Sequence, residues 1–183
     1  MSKFEEERGV VLGVTGSIAA YKAAPIASAL VKKGVPVQVV MTQNAARFIQ
    51  PLTFEALTCR PVHLDQFAAR TSMQHIALAR FAAVVAVAPA TANFIGKYAS
   101  GIADDLLSTT ALSVSCPVIV APAMNGAMWR HPAVQCNVET LKKRGVEFVG
   151  PVSGRLACGD DDIGRMAPEE DIIEVIFARL RGK

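Results

Sequence analysis

A chain of 183 residues with 51% hydrophobic and 19% charged residues carries enough apolar mass for one well-buried domain and too little length for two comfortable ones. That balance excludes disorder over most of the chain, and the longest apolar runs, such as Ala82 to Ala90, fall far short of a membrane span. The net charge of +3 comes from scattered residues without a Lys/Arg tract or aromatic–basic interleaving, which argues against a nucleic-acid partner. The opening Met-Ser-Lys-Phe-Glu-Glu-Glu-Arg lacks the apolar stretch of a secretory signal, so a cytoplasmic setting is expected. Cys59, Cys116, Cys136 and Cys158 are spaced too widely for Cys-x-x-Cys sites; no metal is expected, and in a reducing compartment most of them read as small buried hydrophobes.

Short β-rich runs alternate with longer helical stretches. Val10 to Val14 reads as a buried strand, followed by Gly16-Ser17 and a helix from about Ala19 to Lys33, closed by Gly34. Val35 to Met41 is the second strand, and a helical and irregular region spans Ala45 to Cys59 before a polar loop through Asp65 and Thr71. Val84 to Val87 is the third strand, apolar throughout and so covered on both faces. Helices near Asn93 to Ala99 and Asp104 to Leu112, a strand at Pro117 to Ala121, a helix near Ala133 to Arg144 and a short strand at Val146 to Val149 follow. Pro151 to Ala167 shows little periodicity, and a terminal helix runs from Pro168 to Arg181. This order predicts an α/β fold of one domain spanning residues 1–183: a doubly wound parallel sheet, Rossmann- or flavodoxin-like, in a three-layer sandwich. Ligands of such sheets sit beyond the carboxyl ends of the strands.

The polar residues fall where that rule asks for them. The first strand ends in Gly13-Val14-Thr15-Gly16-Ser17-Ile18-Ala19-Ala20, where small residues and a helix start suit either a phosphate or mononucleotide, or a tight turn packed on the sheet. The second ends in Met41-Thr42-Gln43-Asn44, the third in Ala90-Thr91-Ala92-Asn93 and the fourth in Ala121-Pro122-Ala123-Met124-Asn125. Each alone is as well read as an N-cap; their recurrence at one sheet edge favours a shared ligand. His63 and His131 have proline neighbours and read as loop residues, which leaves His75 as the preferred base, although a lone histidine is more often structural. Cys158, flanked by glycine and acids, reads either as structural or as a thiol on a lid; the neighbouring acids favour a proton donor over a thiolate nucleophile.

Four pieces, Gly16-Ser17-Ile18-Ala19-Ala20-Tyr21-Lys22, His75-Ile76, Pro122-Ala123-Met124-Asn125-Gly126-Ala127-Met128-Trp129 and Leu156-Ala157-Cys158-Gly159-Asp160, together resemble the homo-oligomeric flavin-containing cysteine decarboxylases. Within that family they look most like the branch that acts on phosphopantothenoylcysteine. The resemblance implies FMN held by Gly16, Ser17, Ile18, Ala19, Thr42, Asn44, Thr91, Ala92, Asn93, Phe94 and Ala123, with Ser108 of the Asp105-Leu106-Leu107-Ser108-Thr109 stretch nearby. It implies His75 as the base, Asn125 and Met128 against the substrate, and Cys158 as proton donor on a flap of about residues 151–167. Arg80 matches a basic position of the family and is assigned to an anionic substrate group. The implied reaction converts 4'-phosphopantothenoylcysteine to 4'-phosphopantetheine, on the route to coenzyme A, through a thioaldehyde and then an enethiolate, with FMN as redox partner. The implied assembly is a homotrimer, or a multiple of trimers, with each site at a subunit contact.

Relatives often carry a second domain that ligates cysteine to phosphopantothenate; these 183 residues leave no room for one. A peptidyl-cysteine decarboxylase would share His75 and Asn125, but the full Leu-Ala-Cys-Gly-Asp segment favours the pantothenoyl substrate, whose enethiol must be reduced. A flavin prenyltransferase should lack the His75/Cys158 pair. A phosphatase-regulating subunit would carry a long acidic tail or lack part of the site, and a flavodoxin-like electron carrier leaves His75, Asn125 and Cys158 without a role.

Overall fold

Four apolar runs and one two-residue edge strand pair into a wholly parallel sheet in the order β2-β1-β3-β4-β5, made of β1 (Gly9–Val14), β2 (Val37–Met41), β3 (Ala82–Ala90), β4 (Val118–Pro122) and β5 (Glu147–Phe148). The computed structural model describes residues 8–67, 73–155, 159 and 161–182. Every residue of β1 and β4 is buried, as expected of strands covered on both faces.

Alternate residues enter two separate cores. Val10, Leu12, Val14, Val84, Ala86, Ala88, Ile119 and Ala121 pack with Ile26 and Leu30 of α1 (Ala23–Lys32), Phe54 of α2 (Pro51–Thr58) and Ile172 and Ile176 of α8 (Glu169–Leu180). On the other face Val11, Val85, Val87, Val118 and Val120 pack with Leu78 of α3 (Gln74–Phe81), Phe94 and Ile95 of α4 (Ala92–Ser100), Leu106 and Leu107 of α5 (Leu106–Ser113), and Val138 and Leu141 of α7 (Pro132–Lys143). The expected three-layer sandwich is therefore observed, with the flavodoxin-like strand order.

Local chemistry sets the helix starts. Ser17 caps a 3-10 turn (Ile18–Lys22) that leads into α1, so the predicted single helix is two elements. Thr91 caps α4, which ends at Gly101 with φ +71°. Asp105 and Ser108 form a reciprocal capping box at α5. Pro51 and Pro132 open α2 and α7, where the missing N–H has no intrahelical partner to lose.

Three elements differ from the sequence expectation. Residues before β3 form the helix α3, and α6 (Gly126–Arg130) follows β4 as a single short helix. The stretch expected to be irregular contains an antiparallel hairpin of β6 (Val152–Arg155) and β7 (Asp161–Arg165). Its strands carry glycines and charges in place of an apolar alternation, because only part of the hairpin faces protein.

Candidate functional site

The strand order reverses between β1 and β3, and the chain leaving them goes to opposite faces of the sheet: the 3-10 turn and α1 to one core, α4 to the other. A crevice opens where they part. It is a cavity of about 980 Å³, and all four polar strand ends border it: Gly16 to Ala19, Thr42 to Asn44, Thr91 to Phe94, and Ala123 to Asn125, joined by Met128 of α6.

Thr15 ties the two lips together. Its buried hydroxyl donates to the Pro89 carbonyl at 2.8 Å and accepts from the Thr91 amide at 3.0 Å. Thr15→Val keeps the shape and strands the Thr91 amide, so unfolding by urea should show a loss of about 1–3 kcal/mol. A loss under about 0.5 kcal/mol would remove this role from Thr15. Gly16 lets the turns after β1 and β2 touch, since a Cβ there would lie 2.5 Å from Asn44 Cβ.

The hydroxyls on these turns are used on one side only. Ser17 Oγ accepts from the Ala19 amide at 3.3 Å, Thr42 Oγ1 from Ala45 at 3.2 Å and Thr91 Oγ1 from Phe94 at 3.4 Å. Among the described residues each O–H remains uncommitted, and with the first-turn amides of the 3-10 turn and of α4 they form a neutral donor set suited to an anion. Ile18, Tyr21 and Met128 line the same cavity as exposed apolar side chains. Such a lining fits a ligand with an anionic end and a broad apolar body.

Cations also border the cavity. Lys22 faces Glu169 at 3.3 Å, and Lys97 lies 2.8 Å from Asp104 and 3.2 Å from Asp105. The Lys97 ammonium is held above its ordinary range by its bond to Asp104, and that carboxyl is held below its own by the same bond. Arg155 and Arg165, from β6 and β7, complete the set.

Asn125 caps α6, its Oδ1 accepting from the Ala127 amide at 2.8 Å, and so stands fixed at the cavity edge. Met124 and Met128 line the cavity, and Met124 and Trp129 pack against the second core. The hairpin is fastened beside Asn125. The Met124 amide donates to the Gly164 carbonyl at 3.0 Å, and Arg130 makes two bonds to Asp162 at 2.5 and 2.8 Å. That guanidinium pulls the Asp162 carboxyl down to about 2.

Other expected site residues lie elsewhere. Ser108 is fully buried, with its hydroxyl in the α5 capping box, and does not border the cavity. His75 and Arg80 sit on α3, which packs against α5 and β1, and neither lines the cavity. Cys158 lies outside the described residues. His63 is half-buried against Gln38 at 2.9 Å and its basicity is lowered by burial, while His131 caps α7. Sequence reasoning gave no site role to Thr15, Lys22, Lys97, Arg155 and Arg165; of these only Thr15, between a strand end and Gly16, and Lys22, at the end of the Gly16–Lys22 motif, carried a signal. No helix among the described residues is long and apolar enough to cross a membrane, and no cluster there is suited to a metal ion.

The strand order and the crevice with its one-sided hydroxyls define a mononucleotide-binding α/β protein of the flavodoxin-like class. The chain belongs to the Flavoprotein family, whose model matches residues 2–181. It is 47% identical over 170 residues to the coenzyme A biosynthesis bifunctional protein CoaBC of Bacillus subtilis (strain 168), covering 92% of this chain and 42% of that protein. The chain thus spans less than half the length of the curated relatives that it matches. Among solved structures it resembles the FMN-dependent cysteine decarboxylase SpaF (TM-score 0.81, 34% identity, 95% of this chain and 97% of the other). It also resembles a cysteine-to-serine variant of PPC decarboxylase complexed with pantothenoylaminoethenethiol (TM-score 0.84, 29% identity, 94% and 98%).

Proposed function

We propose that this chain binds FMN in the crevice and decarboxylates 4'-phosphopantothenoylcysteine to 4'-phosphopantetheine, a step of coenzyme A biosynthesis. The observation that carries the reading is Asn125, an amide fixed by its own cap bond on the border of the same cavity as the hydroxyl-bearing turns. The similarity to a coenzyme A biosynthesis protein and to structures named as cysteine and PPC decarboxylases supports it.

The donor set fits FMN. Ser17, Thr42, Thr91 and the adjoining amides are available to its phosphate and polar edges, and Ile18, Tyr21 and Met128 to its apolar ring. When bound, FMN supplies a reversible two-electron acceptor, which amino-acid side chains lack. In this reading the Asn125 amide orients the cysteinyl carboxylate, and the apolar wall around Met124 and Met128 excludes water, so that loss of carbon dioxide is favoured. His75 takes up the proton released early in the reaction, and the Cys158 thiol returns one to the product.

In this reading His75 reaches the cavity from another copy, since it does not line the cavity of its own chain. Met73 and Ile76 flank it as exposed apolar side chains, and a symmetric trimer joined at α3 would cover them and bring the imidazole to a neighbouring crevice. The chain acts as a single domain, with the hairpin as its substrate flap, in the cytoplasm.

The test is to record the visible spectrum of the purified protein during addition of phosphopantothenoylcysteine, with carbon dioxide and product followed in parallel. Yellow protein that releases carbon dioxide and forms 4'-phosphopantetheine is the expected result; yellow protein with no turnover would overturn the substrate. His75→Asn and Asn125→Asp copies, each inactive alone, should regain about a quarter of wild-type activity when mixed and reassembled, since each shared site draws one residue from each copy. No recovery would overturn the shared site.

A further inference from the structure

Of the four cationic side chains that border the cavity, two already have carboxylate partners: Lys22 with Glu169, and Lys97 with Asp104 and Asp105. Arg155 and Arg165 stand on the two strands of the hairpin, and neither guanidinium has an ion pair or hydrogen bond among the described residues. Both are exposed, but the Arg165 side chain lies along the hairpin. Its Nη1 lies 3.0 Å from where a Cβ on Gly154 would sit, so the guanidinium crosses the neighbouring strand through the space that glycine leaves.

The strand that carries Arg165 is held against the substrate-facing segment. Met124 bonds Gly164, and the paired bonds between Arg130 and Asp162 fix β7 to α6. Gly126 allows that approach, since a Cβ there would fall 2.7 Å from the Ile163 carbonyl oxygen. The bonds to Asp162 also occupy Arg130, which leaves Arg155 and Arg165 as the charges available to a ligand. A guanidinium on the wall of a concave site without a carboxylate partner is matched to a phosphomonoester, whose oxygens accept its N–H groups in pairs. The turns after β1, β2 and β3 offer a second, neutral set of donors on the same cavity, and that set is suited to the cofactor's own phosphate.

We propose that Arg165, with Arg155, forms a phosphomonoester subsite that selects the phosphorylated substrate over its dephosphorylated counterpart. The proposal rests on the substrate class given above. It makes the hairpin a specificity element, and it moves recognition of the substrate's phosphate from Arg80 to the hairpin.

The test uses the flavin-loaded protein and its Arg155→Gln, Arg165→Gln and Arg165→Lys variants. Calorimetry measures binding of 4'-phosphopantetheine and of pantetheine; kinetics compares phosphopantothenoylcysteine with pantothenoylcysteine; absorbance after dialysis measures retained flavin. The wild type should favour the phosphorylated member of each pair, and each glutamine variant should reduce that preference on the order of tenfold, through KM rather than kcat, as loss of a charge-assisted bond predicts. Arg165→Lys should restore part of it. An unchanged preference in both glutamine variants overturns the proposal. Unchanged preference together with lost flavin overturns it too, and assigns the arginines to the cofactor's phosphate. If the wild type releases no carbon dioxide from either compound, the proposed reaction fails, and calorimetry alone then decides the subsite.

Discussion

Gly164→Ala is expected to lower turnover more than tenfold while leaving the unfolding of the main sheet almost unchanged. A Cβ at this position would lie 2.1 Å from the Met124 carbonyl oxygen and 3.2 Å from its carbon, with φ at +132°. Both obstacles are backbone atoms, so no rotamer change relieves them. Overpacking and the unfavourable φ each cost about 1–3 kcal/mol. Against this, β7 is fastened by one backbone bond to Met124 and by the exposed Arg130–Asp162 pair. The hairpin therefore gives way before the core does, because its contacts are few and the two cores lie beneath other elements. Faster hydrogen exchange at residues 161–165 with an unchanged midpoint for the rest of the chain would bear this out. Wild-type turnover would mean that the hairpin has no part in the reaction. Gly126→Ala should act in the same direction and more weakly, because beside the movable Asp162 carboxylate its backbone obstacle, the Ile163 carbonyl oxygen, is further away at 2.7 Å.

Asn125→Asp should separate folding from chemistry. An aspartate caps a helix as well as asparagine does and can still accept from the Ala127 amide, so stability should stay within about 0.5 kcal/mol of wild type. The variant loses the NH₂ donor and sets a negative charge where the proposed function seats the substrate carboxylate. Turnover should fall about a hundred- to a thousandfold, the scale seen when an oriented donor is removed from a reacting centre. Asn125→Ala should lose a similar share of activity and about 1 kcal/mol of stability with the cap. An Asn125→Asp enzyme that kept a tenth of wild-type kcat/KM would overturn contact between Asn125 and the carboxylate.

How much of this was legible in the sequence depended on what each residue competes with. The strands were plain because Val, Ile and Ala runs between turn residues have no other stable burial, and their carboxyl ends directed attention to Ser17, Thr42, Thr91 and Asn125. Helix α3 was missed because it is eight residues long and buries only Leu78, too little for a helical period to stand out. Ser108 was placed near the ligand by family resemblance, which carries no information on what its hydroxyl bonds; the structure commits it to Asp105. His75 was visible as a motif, but its absence from the cavity follows from how α3 packs, which no local pattern encodes. Arg155 and Arg165 were passed over because unpaired charges in a glycine-bearing stretch read as solvated.

The sheet is also a partition. Its alternating side chains feed two cores that share no residue, and each core closes around its own helices. At the crevice the two layers come within reach of one ligand, through the turn that enters α1 on one side and the start of α4 on the other. A molecule seated there is a rivet as well as a reagent: it binds only when both layers are in place, so its free energy of binding adds to that of folding. Loss of the occupant and loosening of the sandwich are then one thermodynamic event seen from two sides.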